Sequence, residues 1–268
     1  MDRENIWRFV GVSLVVGLML GVVLYQSTHR GLLADNLGMI VRLLVVPLAF
    51  AIYIFRQKGK QALRDKEMLL LEKEVEIGKD RFFYFYLRPF AITSQIKVRN
   101  PKYRKWDIIN RIMNADGWMD LEEVIQRALE ATGINFLALG KPGEAIGAGR
   151  ISVSEEQWKE KFEKFARTAT GILVVPSTNP GTLWEMKRLV EEGYLNKVVF
   201  VQTSKISARE WIETKRTVAS FGLILADHNP SGQIFKMLSS GTMESSPIPG
   251  LAAPSEDGTS IQRLMHRR

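Results

Sequence analysis

Short apolar runs that alternate with helical patterns fill the sequence from residue 82 to residue 238. The runs are β-branched or aromatic without polar alternation, which is typical of parallel strands covered on both faces. Strands that alternate with helices predict an α/β domain. The predicted strands are 82–87, 134–139, 171–175, 197–202 and 222–226, and the predicted helices are 121–132, 155–168, 181–193, 208–220 and 232–238.

These five units predict a five-stranded, parallel, doubly wound sheet of flavodoxin-like topology. In such a sheet, ligands bind outside the carboxyl ends of the strands, at the point where the strand order reverses. We therefore expect the functional residues in the loops that follow the strands.

Two apolar runs precede the sheet. Residues 9–25 carry no charge and residues 37–55 carry only Arg42, so each is long enough to cross a hydrocarbon core of roughly 30 Å. They predict two transmembrane helices. A cleaved signal peptide is the alternative for the first run, because Arg3 and Arg8 precede it, but no small-residue cleavage site follows it.

Basic residues predict the orientation of this pair. The segment 56–66 is rich in Lys and Arg, whereas the only basic residues in the segment 26–36 are Arg30 and His29. The positive-inside rule then places the N-terminus and the C-terminal domain in the cytoplasm, with the chain in the inner membrane as a multi-pass protein. The lipid bilayer is accordingly a predicted partner.

Four regions are predicted: a transmembrane hairpin at 1–55, a helical linker at 56–80, the α/β domain at 81–240 and a disordered tail at 241–268. The linker has the pattern of a short coiled coil or of a solvated helix, and a homo-oligomer is predicted. The basic, aromatic insertion 91–120 is either a lid or an exposed loop.

Composition excludes several classes of protein. The net charge of +8 is explained by basic residues beside anionic lipid. Because no nucleic-acid-binding signature accompanies it, no nucleic acid is predicted as a partner. The chain has no cysteine, which excludes disulfides, thiolate catalysis and cysteine-based metal sites. We predict no cofactor and no metal.

The junction after the third strand is the first candidate site. Asn179-Pro180 predicts an N-cap followed by proline at the first helical position. The amides of Gly181 and Thr182 would then suit a phosphate, and Glu185 follows one turn later. The structural alternative for Glu185 is a carboxylate that the helix dipole favours.

Two further strand ends contribute to the same predicted edge. Arg88 follows the first strand, and the glycine-rich loop 140–150 follows the second. Glycines permit close backbone approach to a ligand and the basic side chains would neutralise phosphate, although a flexible turn is the alternative for this loop. The predicted ligand-binding residues are Arg88, Gly140, Lys141, Gly143, Gly147, Gly149, Arg150, Ser177, Gly181, Thr182 and Trp184, and Glu185 is the predicted catalytic residue.

These motifs resemble known families. Gly181-Thr182-x-x-Glu185 is similar to the G-T-x-x-E of LOG-type nucleotide phosphoribohydrolases and to a segment of nucleoside deoxyribosyltransferases. The longer pattern, running from Leu87-Arg88-Pro-Phe through Gly147-Ala-Gly-Arg150 and Trp158 to Pro180-Gly-Thr-Leu-Trp-Glu185, resembles a bacterial membrane-anchored family with a TIR-like (Toll/interleukin-1 receptor-like) fold. The resemblance covers roughly residues 81–226.

The resemblance implies chemistry at Glu185. TIR-type NADases place a glutamate on the helix after the third strand, and both of the other families cleave N-glycosidic bonds. A carboxylate there would stabilise the oxocarbenium-like ribose that remains when the base departs. The predicted function is nucleotide binding with cleavage of an N-ribosyl bond of NAD or a related nucleotide, that is, an NAD-type N-glycosidase. The alternative is a non-enzymatic nucleotide sensor or a signalling scaffold that oligomerises.

Overall fold

The computed structural model describes residues 34–89, 95–97, 118–130, 133–140, 147–237 and 242–247. The chain divides into two compact units, Met1–Ile54 and Phe55–Arg268. Helix α1 spans Ala34–Glu76 and contributes residues to both units. The second unit contains the sheet and every residue predicted for the site.

The elements of the second unit follow in chain order. After α1 come β1 (Phe83–Leu87), β2 (Gln95–Lys97), β3 (Trp118–Asp120), α2 (Leu121–Glu130), β4 (Asn135–Leu139), β5 (Gly149–Ile151), α3 (Trp158–Thr168), β6 (Gly171–Val174), α4 (Pro180–Glu191), a 3-10 turn (Tyr194–Lys197), β7 (Val198–Gln202), α5 (Ala208–Ala219), β8 (Gln233–Met237) and β9 (Met243–Pro247).

The main sheet has seven strands in the order β5-β4-β1-β6-β7-β8-β9, and β2 pairs with β3 in a separate ribbon. Strands β5, β4, β1, β6 and β7 are parallel, whereas β8 and β9 are antiparallel to their neighbours. The strand order reverses between β1 and β6, where Leu87 pairs with Val174. The ends of these two strands therefore flank the topological switch point.

Alternate residues of strands β1, β4, β6, β7 and β8 face two separate apolar clusters. One face packs against α3, α4 and α5, with Phe85, Ile172 and Phe200 among its core residues. The other face packs against α2 through Tyr84, Tyr86 and their neighbours. Because both faces are buried, the central strands have the continuous apolar sequences that made them visible in the sequence.

The predicted five-stranded, all-parallel sheet is wrong at its far edge. Residues 222–226 form no strand: Leu223 and Leu225 are buried in the core, and the indole Nε1 of Trp211 donates a hydrogen bond to the Ala226 carbonyl at 2.9 Å. Residues 233–237, predicted as a helix, form β8 instead. A short apolar run alone does not distinguish a strand from a buried helix or coil.

The predicted membrane-spanning helices and multi-pass inner-membrane location also need correction. In the part of the chain that the structure describes, no helix has a stretch long and apolar enough to cross a membrane. The predicted span 37–55 belongs to the longer helix α1, where Arg42 and Pro47 interrupt the apolar sequence and charged residues follow from Arg56. The other predicted span, 9–25, lies outside the described residues, as do 91–94, 98–117 and 248–268.

The segment predicted as a linker contributes to the domain core. Met68, Leu71 and Val75 of α1 are buried in the same cluster as the strands and α3. Lys161 and Lys164 of α3 form ion pairs with acidic residues of α1 at 2.8 Å and 3.0 Å. This part of α1 is thus packed on the sheet.

Leu71→Ala tests this packing. We expect a loss of about 2–4 kcal/mol in the free energy of unfolding, because the substitution leaves a cavity beside α3. Leu69→Ala, on the exposed side of α1, is the control and should change stability by less than about 0.5 kcal/mol. Urea unfolding of the full chain measures both. Equal, small effects would contradict the packing of α1 on the sheet.

Candidate functional site

The carboxyl edge of the parallel strands brings together several predicted residues. Arg88 follows β1, Gly140 follows β4, and Ser177 lies three residues after β6. Since these strands are parallel neighbours, their ends lie at one edge of the sheet. Lys141 and Gly143 lie outside the described residues.

Two of the predicted basic residues meet at a buried carboxylate that sequence reasoning missed. Glu122, in the first turn of α2, pairs with Arg150 at 2.6 Å (Nη2 to Oε1) and with Arg88 at 3.1 Å (Nε to Oε2). Glu122 and Arg150 are each only 1% exposed, and Arg88 is 14% exposed. Burial raises the pKa of Glu122, while the two guanidinium groups oppose that rise. Arg150 is therefore an internal residue and Arg88 lies nearer to the surface.

Helix α1 holds the segment that carries Arg150. The Gln61 side chain donates to the Ala148 carbonyl at 2.8 Å and accepts from the Gly147 amide at 2.9 Å. The Asp65 carboxylate accepts from the Arg150 amide at 2.9 Å. These buried hydrogen bonds fix the backbone at the start of β5.

The glycines of this segment have packing roles. A Cβ on Gly149 would lie 2.4 Å from the Met68 Cγ and 2.8 Å from the Arg64 carbonyl oxygen. Gly147 has φ +149°, and a Cβ there would lie 2.6 Å from the Glu122 Cγ. Glycine is therefore required at position 149 for the close contact with α1, and at position 147 for the close contact with Glu122. Whether a ligand also approaches these glycines stays a prediction.

The start of α4 confirms the predicted cap. Asn179 is the N-cap with Pro180 at the first helical position, and its side chain accepts a hydrogen bond from the Gly181 amide at 3.1 Å. The Ser177 hydroxyl oxygen accepts from the Asn179 amide at 3.2 Å. Because the cap already satisfies the Gly181 amide, this helix start has less free donor capacity than the sequence suggests.

Trp184 lies between helices. Its ring is 4.8 Å from that of Trp158 and 5.4 Å from that of Phe162, both on α3, and the ammonium of Lys159 lies 5.1 Å from its centroid. Trp184 therefore packs α4 against α3.

Glu185 is the unusual residue of α4. It lies on the buried helix face with Thr182, Met186 and Leu189, and it is 5% exposed. Burial raises the pKa of its carboxyl to about 8. Among the described residues, no side chain or backbone group forms an ion pair or hydrogen bond with it. A buried carboxyl without such a partner is energetically costly, so it is a candidate functional group.

Sequence reasoning missed Glu122, Gln61 and Asp65 for a physical reason. Acidic residues are common in the first turn of a helix, and Asp120 caps α2 by accepting from the Glu122 amide at 2.8 Å. The partners of Glu122 lie 28 and 34 residues away in sequence, and no local pattern encodes them. Gln61, Asp65 and the buried Met68 follow the i, i+4, i+7 spacing of one helix face. This spacing is only a weak sign that the two polar residues face the core.

Two surface pockets lie apart from the predicted site residues. Within the described ranges, no group of His, Cys, Asp and Glu side chains could hold a metal ion. An open pocket of about 590 Å³ is lined by Lys215, Asp227, His228 and Gln233, among others, and a second of about 470 Å³ by Arg81 and Arg167. No predicted site residue lines either pocket.

Comparison of the chain with family models, curated protein sequences and solved structures finds no match. The resemblance to TIR-like domains and to N-glycosidic enzymes therefore stays a prediction, and the site must be interpreted from its own geometry.

Two glycine substitutions test whether Gly149 is required for the close contact with α1. Gly149→Ala should lower the free energy of unfolding by about 1–3 kcal/mol, because the new methyl group meets the α1 backbone. Gly181→Ala is the matched control: its Cβ has only one neighbour, at 3.4 Å, so stability should stay equal or rise by up to about 1 kcal/mol. Urea unfolding measures both. A stable Gly149→Ala variant would contradict the close contact with α1.

The raised pKa of Glu185 predicts a pH-dependent stability. In the unfolded chain this carboxyl titrates near 4.5, and in the folded protein near 8, so the folded state binds the extra proton between these values. Stability should fall as the pH rises from about 4.5 to about 8, by on the order of a few kcal/mol, and then level off. Glu185→Gln should remove this part of the slope, whereas Glu191→Gln, exposed on the same helix, should keep it. Chemical unfolding across this pH range measures the difference, and parallel curves for wild type and Glu185→Gln would refute the assignment.

Proposed function

We propose that this protein binds a nucleotide at the carboxyl edge between β1 and β6 and cleaves its N-ribosyl bond, with NAD as the first substrate to test. The observation that carries the proposal is the buried carboxyl of Glu185, which has no described partner and sits on the helix that follows β6. That helix starts beside the switch point of the sheet, where α/β folds bind ligands.

Burial of Glu185 argues for a role beyond structure. A carboxyl with its pKa raised to about 8 opposes folding at neutral pH, and glutamine or an apolar residue would fill the same position without that cost. The structure compensates the buried carboxylate of Glu122 with two arginines and gives that of Asp65 hydrogen bonds from Gln61 and the Arg150 amide. A buried, uncompensated carboxyl with a raised pKa is typical of a group with a chemical task.

The chemistry of NAD cleavage suits such a group. When the bond between the ribose and the pyridinium ring breaks, the electron pair goes to the ring nitrogen and neutral nicotinamide leaves without needing a proton. The ribosyl group is left as an oxocarbenium-like cation, which an adjacent carboxylate stabilises until water adds and releases a proton. The ionised form of Glu185 is therefore the active one. The positive charge of the bound pyridinium would lower the pKa of a nearby Glu185 towards that form.

Arg88 is the phosphate-binding candidate in this proposal. Its Nε pairs with Glu122, and the residues that the structure describes engage none of its terminal N–H groups. Those donors remain for a phosphate, which guanidinium groups bind well. Arg150 is buried against Glu122. In this proposal it fixes the position of Glu122, which in turn orients Arg88.

The second candidate function is nucleotide sensing without turnover. At neutral pH the free protein holds Glu185 mainly protonated, since its pKa lies near 8. A neutral carboxyl donates a hydrogen bond to a ribose hydroxyl and stabilises no cation. Binding without release of nicotinamide would favour this function over the enzyme.

Incubation of the full chain with NAD tests the proposal, with nicotinamide release as the measurement. Glu185→Gln should reduce kcat/KM at least about a hundredfold, and Glu191→Gln should keep wild-type activity. The wild-type kcat/KM should rise with pH up to about 8 and then level off, because it follows ionisation of Glu185 in the free enzyme.

Three outcomes contradict the enzyme. These are no turnover by wild type at low or high protein concentration, a fully active Glu185→Gln variant, or activity that falls as Glu185 ionises. Arg88→Ala should weaken nucleotide binding in titration calorimetry. If wild type releases no nicotinamide and yet binds NAD in an Arg88-dependent way, the sensing function replaces the enzyme.

A further inference from the structure

The exposed side of α1 carries a row of large aliphatic side chains. Leu63, Leu70 and Ile77 are separated by seven residues each and are 64%, 55% and 70% exposed. Ile77 directly follows the last residue of the helix. Residues seven apart lie almost one above another on a helix. We call these three side chains the α1 stripe.

The α1 stripe lies opposite the side of the helix that packs on the domain. Met68, Leu71 and Val75 form the buried side, and the helical repeat of 3.6 residues places the centre of the stripe about 130° around the helix axis from the centre of that side. One exposed leucine is ordinary on a protein surface, but a row with a seven-residue repeat is the pattern that helices use to pair with one another.

The charges beside the stripe select a partner and a direction. Lys66 and Glu67 lie just before Leu70, and Lys73 and Glu74 lie just after it. If two α1 helices run antiparallel and cross at Leu70, Lys66 faces the partner's Glu74 and Glu67 faces the partner's Lys73. Leu63 then faces the partner's Ile77. In a parallel pair each residue would face its own copy, with Lys66 and Lys73 against like charges.

Neighbouring charges support the same direction. The first half of the segment 56–76 is basic and the second half is mainly acidic, so antiparallel copies place unlike halves together. Within the described residues, the side chains of Lys66, Glu67 and Lys73 form no ion pair, which leaves them for an intermolecular contact. Glu74 already pairs with Arg81 and Lys79 of its own chain, so the contact between Glu67 and the partner's Lys73 carries the argument for direction. We propose that two copies of this chain form a two-fold dimer through the α1 stripe, with the helices antiparallel and Leu70 at the axis.

Single-cysteine variants test the geometry, since the chain has no cysteine of its own. Under mild oxidation of the full chain, Leu70→Cys should form a disulfide-linked dimer, because two residues at the axis approach within the roughly 4.4–6.8 Å between Cα atoms that a disulfide needs. Leu63→Cys and Ile77→Cys should each stay monomeric on a non-reducing gel. A mixture of these two variants should give a cross-linked dimer.

Several results would overturn this dimer. Leu63→Cys or Ile77→Cys linking efficiently to itself would show a parallel pair. No cross-link from any variant, together with a monomeric mass for wild type at the highest concentration tested, would show that the stripe pairs with no second copy. A wild-type dimer that Leu70→Asp leaves intact would place the interface elsewhere. Under the proposal, sedimentation should show that Leu70→Asp raises the dimer Kd at least about tenfold.

A charge reversal supplies an independent test of direction. Lys73→Glu should raise the dimer Kd about three- to tenfold, because it places two acidic side chains together at both ends of the antiparallel seam. Adding Glu67→Lys in the same chain should restore the wild-type Kd. Failure of the second substitution to restore it would exclude the antiparallel pairing of these residues, and this readout does not depend on nucleotide binding.

Discussion

The buried carboxylate of Glu122 is the interaction on which the edge of this sheet depends. Burying an ion is unfavourable unless opposite charge and hydrogen bonds replace the lost water. Arg150, Arg88 and the Ala148 amide at 2.9 Å supply that replacement. These partners come from β5, from the residue after β1 and from the residue that directly precedes β5. Removing any one of them leaves the buried charge less compensated. The cluster therefore ties the start of α2 to two separate strands.

Helix α1 extends this cluster into a segment that looks like a linker in the sequence. Its Gln61 and Asp65 bind the backbone that carries Arg150, and Gly149 permits the close contact. A displacement of α1 would shift Arg150, then Glu122, then Arg88 at the rim. The position of Arg88, the candidate phosphate-binding residue, is thus connected to α1, whose exposed side carries the α1 stripe. A dimer formed there would hold α1, and through it Arg88, in a fixed place.

Features set by local chemistry could be predicted from the sequence, and features set by distant partners could not. Strands β1, β4, β6 and β7 are continuous apolar runs, and the Asn179-Pro180 cap depends on adjacent residues only. Strand β5 has three residues and begins with Gly149, so it carries little apolar signal. The sequence predicts residues 222–226 as the strand after β7, but β8 occupies the position beside β7 instead. Both segments are short and apolar, so tertiary packing and not local sequence decides which of them joins the sheet. The Glu122 cluster joins residues that no spacing rule connects.

The two buried glutamates of the domain show how a structure separates a fold requirement from a candidate function. Both are almost fully covered, and burial raises the pKa of each. Glu122 has two arginine partners, and its Oε1 accepts hydrogen bonds from Arg150 and from the Ala148 amide, which together account for its presence. Among the described residues, no partner of this kind compensates the carboxyl of Glu185. The fold does compensate the carboxylate of Glu122 at the same edge of the sheet. A buried carboxyl without a compensating partner is unfavourable for folding, which is why Glu185, and not Glu122, is the residue to test for a chemical role beside the switch point.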